Sequence, residues 1–212
     1  MAMADQPYPV SFDVDYPESL DRLTSAFRLL WIIPIAIVLG AIGGGADSSS
    51  YVEDGMRFGA VSGGGLLVAA PLLMIVFRRK YPRWWFDWNL ELLRFSNRVE
   101  AYLVLLTDRY PATDAEQAVH LTIPYPDVER DLNRWLPLVK WLLAIPHVVV
   151  LFFLVIAAFV VVVIAWFAIL FTGRYPRGLF DFVVGVGRWG NRVIAYAAML
   201  ATDRYPPFRL RP

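Results

Sequence analysis

Between Leu138 and Phe171 only Lys140, Pro146 and His147 are not plainly apolar. A helix that is hydrophobic on every side is stable only where water is excluded all round it. A run beyond about 18 such residues reads as a segment for the membrane interior. Two further apolar blocks lie at about 26–45 and 60–77, joined by the polar, glycine-rich linker GGGADSSSYVEDGMRFG, a loop by composition. Hydrophobic residues make up 58% of the chain, above the roughly 45–50% of soluble domains. The acidic start MAMADQPYPVSFDVDYPESL has no basic segment followed by an apolar one. A cleavable signal peptide is therefore not expected there, and the first apolar block is expected to act as an uncleaved insertion signal.

The chain resembles itself. VSFDVDYP (10–17) matches VHLTIPYP (119–126), and RLLWIIP (28–34) matches KWLLAIP (140–146) in character. KYPRWWFDW (80–88) matches RYPRGLFDF (174–182). NRVEAYLVLLTDRYP (97–111) matches NRVIAYAAMLATDRYP (191–206), with one extra residue in the second copy. Two tandem repeats follow, 1–111 and 112–212, and internal repeats are common in membrane proteins. Each opens on alternating polar and apolar residues, at 9–16 and 119–125, the period of a half-buried strand. The two strands are expected to pair over the polar ends of the helices, as a small two-stranded β element on the cytoplasmic side. Pro124 donates no N–H and belongs at an edge.

The second repeat poses a length problem. One helix over 136–172 measures about 55 Å, against a hydrocarbon core of about 30 Å. Charge argues for a hairpin with its tip near 152–157. Of the 20 Lys and Arg residues only Arg57 lies in the 46–59 linker. Basic residues crowd 78–109 and 174–211, and cytoplasmic flanks carry such an excess. A hairpin keeps both sets inside. The expected architecture is therefore an all-α membrane protein. Each repeat holds a short strand, a transmembrane helical hairpin and an amphipathic interfacial helix, at 86–106 and 180–201. It is multi-pass in the plasma (inner) membrane, with both termini cytoplasmic.

In the first amphipathic helix Trp88, Leu92, Phe95, Val99, Tyr102 and Leu106 form one stripe, and Asp87, Glu91, Arg94 and Arg98 the opposite one. Such a helix fits the interface, with its arginines toward headgroups. Candidate contacts to an anionic headgroup or a partner's carboxylates are Arg94, Arg98, Arg109, Arg188, Arg192 and Arg204. Seven of the ten tyrosines precede proline, at 8, 16, 81, 110, 125, 175 and 205. A residue before proline is pushed out of the α region, so each Tyr-Pro stops or redirects a helix. Asp108, Tyr110, Pro111, Asp203, Tyr205 and Pro206 are the candidate structural anchors, the two aspartates each pairing with a neighbouring arginine.

The chain holds no cysteine, no phosphate-binding glycine loop and only two histidines, far apart. No metal, cofactor or catalytic set is expected, and a net charge of +1 does not point to nucleic acid. Arg28 and Lys140, near the ends of apolar blocks, are expected to snorkel.

The run FAILFTGRYPRGLFDFVVGVGRW, followed by NRVIAYAAMLATDRYPPF, resembles a bacterial, mainly actinobacterial, family of membrane proteins known only as a domain of unknown function. The second copy fits its RYP, LFDF and TDRYPPF motifs. The first departs at Lys80, at Trp85-Phe86-Asp87-Trp88 and at Ala112. The resemblance implies an integral membrane protein and carries no catalytic residue. The expected function is non-enzymatic, a scaffold or accessory subunit that meets other membrane proteins or itself. The alternatives are lipid binding or membrane shaping through the interfacial helices, and a small-molecule channel or transporter.

Overall fold

The computed structural model describes residues 8–35, 37, 69–113 and 117–212. Residues 36 and 38–45 of the first apolar block, the 46–59 linker and residues 60–68 of the second block lie outside the described residues. The fold is mostly helical, with one small sheet.

Strand β1 (Ser11–Val14) pairs antiparallel with β2 (Val119–Thr122), Phe12 opposite Leu121. The alternation read from sequence places Phe12, Val14, Val119 and Leu121 inward and Ser11, Asp13, His120 and Thr122 outward. The pairing is as expected, but its position is not. The sheet lies against the middles of two long helices, because Arg94 and Arg188, near the centres of those helices, donate to strand carbonyls.

Helix α1 (Arg22–Trp31) starts at Asp21, whose carboxylate accepts the N–H of Leu23 at 2.9 Å, the usual service of an N-cap side chain. Helix α2 (Ala69–Arg78) is π-wound over Met74–Arg78 and stops where Arg79 turns left-handed, φ 49°. Helix α3 (Arg83–Leu103) begins directly after Pro82, where a missing N–H costs nothing.

Helix α4 (Pro137–Leu143) and helix α5 (Ile145–Thr172) are separated by Ala144 alone. Pro146 has no N–H for the carbonyl of Leu142, which loosens the winding there without ending it. The turn expected near 152–157 does not exist, for α5 runs through it unbroken. No glycine or proline interrupts 147–172, and every backbone group in the apolar run is satisfied by winding on. Gly173, at φ 72°, ends α5 with its N–H on the Ile169 carbonyl at 2.7 Å. A residue with a Cβ adopts that conformation reluctantly.

Helix α6 (Arg177–Ala197) follows Pro176 as α3 follows Pro82. Past their ends, Leu105 (φ 68°) and Leu200 (φ 57°) both turn left-handed. Leucine resists that region. Both side chains are buried in the main core, and that packing holds the turn. The expected helices 86–106 and 180–201 thus start and stop a few residues early.

Helices α4 and α5 pack on α6, α1 packs on the end of α5, and β1 and β2 pack on α6 and α3. The core lies between the helix layer and the sheet, around Phe12, Leu121, Tyr175 and Phe180.

Candidate functional site: an apolar helix face over matched charged clasps

Of the 28 residues of α5 only His147, Ala165 and Ile169 are buried. Phe152, Phe153, Phe159 and Phe171 stand 61–78% exposed. The core helix of a soluble protein would be mostly covered, and an exposed apolar face of this extent marks a contact with a membrane or a partner. Among the described residues α5 is the one helix long and apolar enough to cross a membrane.

Beneath that face the two TDRYP segments make the same contacts. The Asp108 carboxylate accepts the N–H of Asp21 at 2.6 Å and pairs with Arg28, which also donates to the Tyr102 carbonyl at 2.8 Å and lies over the Tyr102 ring. The Asp203 carboxylate accepts the N–H of Asn133 at 2.5 Å and pairs with Lys140 at 2.7 Å. Lys140 also donates to the Thr202 carbonyl and lies over the Tyr196 ring. Thr107 and Thr202 accept the N–H of Arg109 and of Arg204, each at 3.2 Å. Each motif therefore clamps the entry of an apolar helix to the exit of an amphipathic one. Arg28 and Lys140, expected to snorkel outward, point inward and are 2% and 0% exposed. A cation buried this way persists because a carboxylate, a carbonyl and an aromatic face receive it.

Four of the six candidate headgroup arginines are also turned inward. Arg94 donates to the Leu121 carbonyl and to Glu91, and Arg188 to the carbonyls of Phe12 and Leu210 and to Asp13. Arg98 donates to the carbonyls of Ala112 and Thr113, and Arg192 to those of Arg209 and Arg211. These guanidinium groups staple strands and connecting chain to α3 and α6. Their five fixed donors suit clusters of backbone carbonyls. Arg109 and Arg204 are exposed.

The Tyr-Pro tyrosines tie the chain together rather than only marking its turns. Tyr16 donates to the Tyr175 carbonyl and Tyr125 to that of Tyr81. Tyr81 donates to the Met199 carbonyl at 2.9 Å, and Tyr205 to that of Leu143 at 3.2 Å. Burial pushes the phenols of Tyr81 and Tyr175 well up, so both stay neutral. Tyr110 sets its edge on Tyr102 and Tyr205 its edge on Tyr196, and Pro111 and Pro206 are buried beside them.

Of three further features, sequence reasoning missed the first. Asn97 and Asn191 hydrogen-bond each other where α3 meets α6; their place in the repeated NRV was the available signal. His147 accepts the indole N–H of Trp189 at 3.1 Å and stacks on Phe208 at 4.0 Å, fully buried. Two clusters of exposed cations stand at the ends of the apolar helices: Arg78, Arg79, Lys80 and Arg83 at one, Arg22, Arg174 and Arg177 at the other.

Two open depressions mark the surface. One, of about 690 Å³, lies between Lys80–Pro82 and Tyr125–Glu129. The other, of about 740 Å³, lies between β1, the start of α6 and the C-terminal tail. Among the described residues no group of three or more histidine or carboxylate side chains is placed to hold a metal.

Residues 135–209 match the family model DUF4389, a domain of unknown function. No curated protein and no solved structure matches the chain.

Proposed function

We propose that the chain is a non-enzymatic integral membrane protein that serves as a scaffold or accessory subunit of a membrane complex. The observation that carries this reading is the outer face of α5, apolar over its whole length and left exposed among the described residues. The charged and polar side chains that chemistry would need are instead spent on internal carbonyls, as in the two clasps and the arginine staples.

The reading includes a duplication. Arg28–Asp108 matches Lys140–Asp203, Arg94 matches Arg188, and Asn97 meets its counterpart Asn191. Such pairing supports two copies folded about a two-fold axis near the asparagines, the second of them the DUF4389-like part. Both termini and both TDRYP motifs are cytoplasmic on this reading, and the 46–59 linker faces outward, because basic residues set orientation through short loops. The test is purification from membranes in mild detergent. Recovery with a stoichiometric partner, or as a defined oligomer, is expected. A lone monomer in every detergent would sink the scaffold role.

A second reading, lipid binding or membrane shaping, draws on the two exposed cation clusters beside apolar helix ends. Vesicle binding by the full chain would then fall with salt, since attraction to anionic lipid is screened. The hydrogen-bonded contact of Asn97 with Asn191 lends a transport path between the halves no support.

A further inference from the structure

We propose that α5 lies flat within one leaflet instead of crossing the bilayer, and that the basic clusters at the ends of the apolar layer rest on anionic phospholipid headgroups. This rests on reading the chain as a membrane protein, and it replaces the hairpin expected for the second half by a helix that enters and leaves on one side.

Both ends of the α4–α5 rod are fixed to the same layer of the protein. At its start Lys140 holds Thr202 and Asp203, just past the end of α6, and His147 holds Trp189. At its finish the Gly173 carbonyl accepts the N–H of Leu20, and Trp166 donates to the Ser25 carbonyl. The chain then turns at Tyr175 directly into α6. The rod therefore runs antiparallel along α6. Ala144, His147, Leu151, Ala158, Ala165 and Ile169 recur along it in steps of three, four and seven and face inward. A single inward stripe of that period means one side of the helix is applied to a neighbour along its length.

The opposite side of α6 settles the orientation. There Arg188 binds the Phe12 carbonyl, and a Cβ on Gly187 would come within 3.1 Å of the Phe12 ring. The sheet is thus pressed on the middle of α6. Its outer face shows Ser11, Asp13, Asp15, His120 and Thr122. Standing α5 upright across a bilayer would stand α6 upright too. The carboxylates of Asp13 and Asp15 would then sit exposed near mid-depth, where ionised groups are strongly disfavoured. Laid flat, the same molecule has hydrocarbon on the α5 side and water on the sheet side, and no conflict remains.

The cations mark the level of the headgroups. Arg22, Arg174 and Arg177 surround the end of α5, beside exposed Phe171 and Leu23. Arg78, Arg79, Lys80 and Arg83 surround the end of α2, beside exposed Phe77 and Trp84. Basic residues next to exposed aromatic rings suit the boundary between anionic headgroups and acyl chains.

The full chain is reconstituted in phosphatidylcholine vesicles containing phosphatidylglycerol. Single cysteines at Val148, Ala157 and Phe171 carry an environment-sensitive fluorophore. Lipids with a spin-label quencher near the glycerol or near the chain end report depth. A flat helix gives all three sites similar, shallow depths. Deep quenching at 157 with shallow ends means that α5 crosses, which overturns the proposal and leaves the membrane reading intact. Absence of lipid quenching at every site overturns the membrane reading itself. In a second arm the quencher is carried on phosphatidylglycerol or on phosphatidylcholine, with the fluorophore at position 77. Several-fold stronger quenching by the anionic lipid is expected, lost in the combined R78Q, K80Q, R83Q variant. Equal quenching by both lipids overturns the headgroup assignment.

Discussion

Asn97 and Asn191 donate to each other, at 2.9 and 2.7 Å, at the point where α3 meets α6. Each also gives its second amide hydrogen to its own helix, at Leu93 and Gly187. All four amide hydrogens are thus used in a buried site. Asn97→Ala strands the partner's amide and should cost about 1–3 kcal/mol, because an unmet buried polar group loses its full hydration. The N97L, N191L double variant should recover much of that, since neither amide remains. Thermal unfolding in detergent of N97L, N191L and the double variant gives the comparison. Losses that simply add would show that the two side chains act independently.

Asp203→Asn should be among the most damaging single changes. Its carboxylate partners Lys140, which is fully buried. Leaving a buried charge unpaired costs about 3–5 kcal/mol. Adding Lys140→Met should restore most of the loss, since no charge then remains to be answered. Asp108→Asn should cost less, for Asp108 is the more exposed of the two aspartates, at 28% against 19%, and water reaches that clasp more freely. The order of unfolding temperatures among the three variants checks this, and a milder effect at Asp203 than at Asp108 would contradict it.

Gly185→Ala should loosen the C-terminal tail. A Cβ there would lie 2.9 Å from the Cβ of Leu210 and 3.2 Å from its carbonyl oxygen. That carbonyl also receives Arg188. The crowding should cost about 1–3 kcal/mol and show as faster proteolysis within 207–212. Gly178→Ala, with nothing in reach of its Cβ, is the matched control and should leave the tail unchanged.

Much of this was legible in the sequence, and the failures share a cause. The strands, the apolar rod and the amphipathic helices follow from local periodicity, which depends on a residue and its near neighbours. The sequence also marked Asp108 and Asp203 as partners of a neighbouring arginine, whereas Asp108 pairs with the distant Arg28 and Asp203 with a lysine. It read Arg28 and Lys140 as outward snorkelling cations and not as those partners, which lie 80 and 63 residues away in the chain. Arg94, Arg98, Arg188 and Arg192 were legible as one polar stripe. Periodicity does not distinguish a stripe facing headgroups from one facing backbone carbonyls of another segment. The hairpin was inferred from charge balance alone. That argument asks only that both ends lie on one side, and it says nothing about whether the helix between them turns.

Orientation has a direct test, simplified by the lack of native cysteine. Single cysteines at Ser49, Thr113 and Arg211 are exposed in intact cells to a thiol reagent that does not cross membranes. Reaction at position 49 alone is expected. Labelling at 211 from outside, with 113 still protected, would mean that the second half crosses an odd number of times.

The exchange of strands has a consequence for how such a chain changes over generations. Arg188 and the Tyr175 carbonyl, in the second half, receive Phe12 and Tyr16 of the first; Arg94 and the Tyr81 carbonyl, in the first half, receive Leu121 and Tyr125 of the second. A chain cut after Thr113 would leave two fragments, each bearing a strand whose hooks are on the other. Neither half is therefore free to drift by itself. An inward strand residue packs on the opposite half's helix, as Phe12 does beside Gly187, so each half is completed by the other, as the subunits of an obligate dimer are.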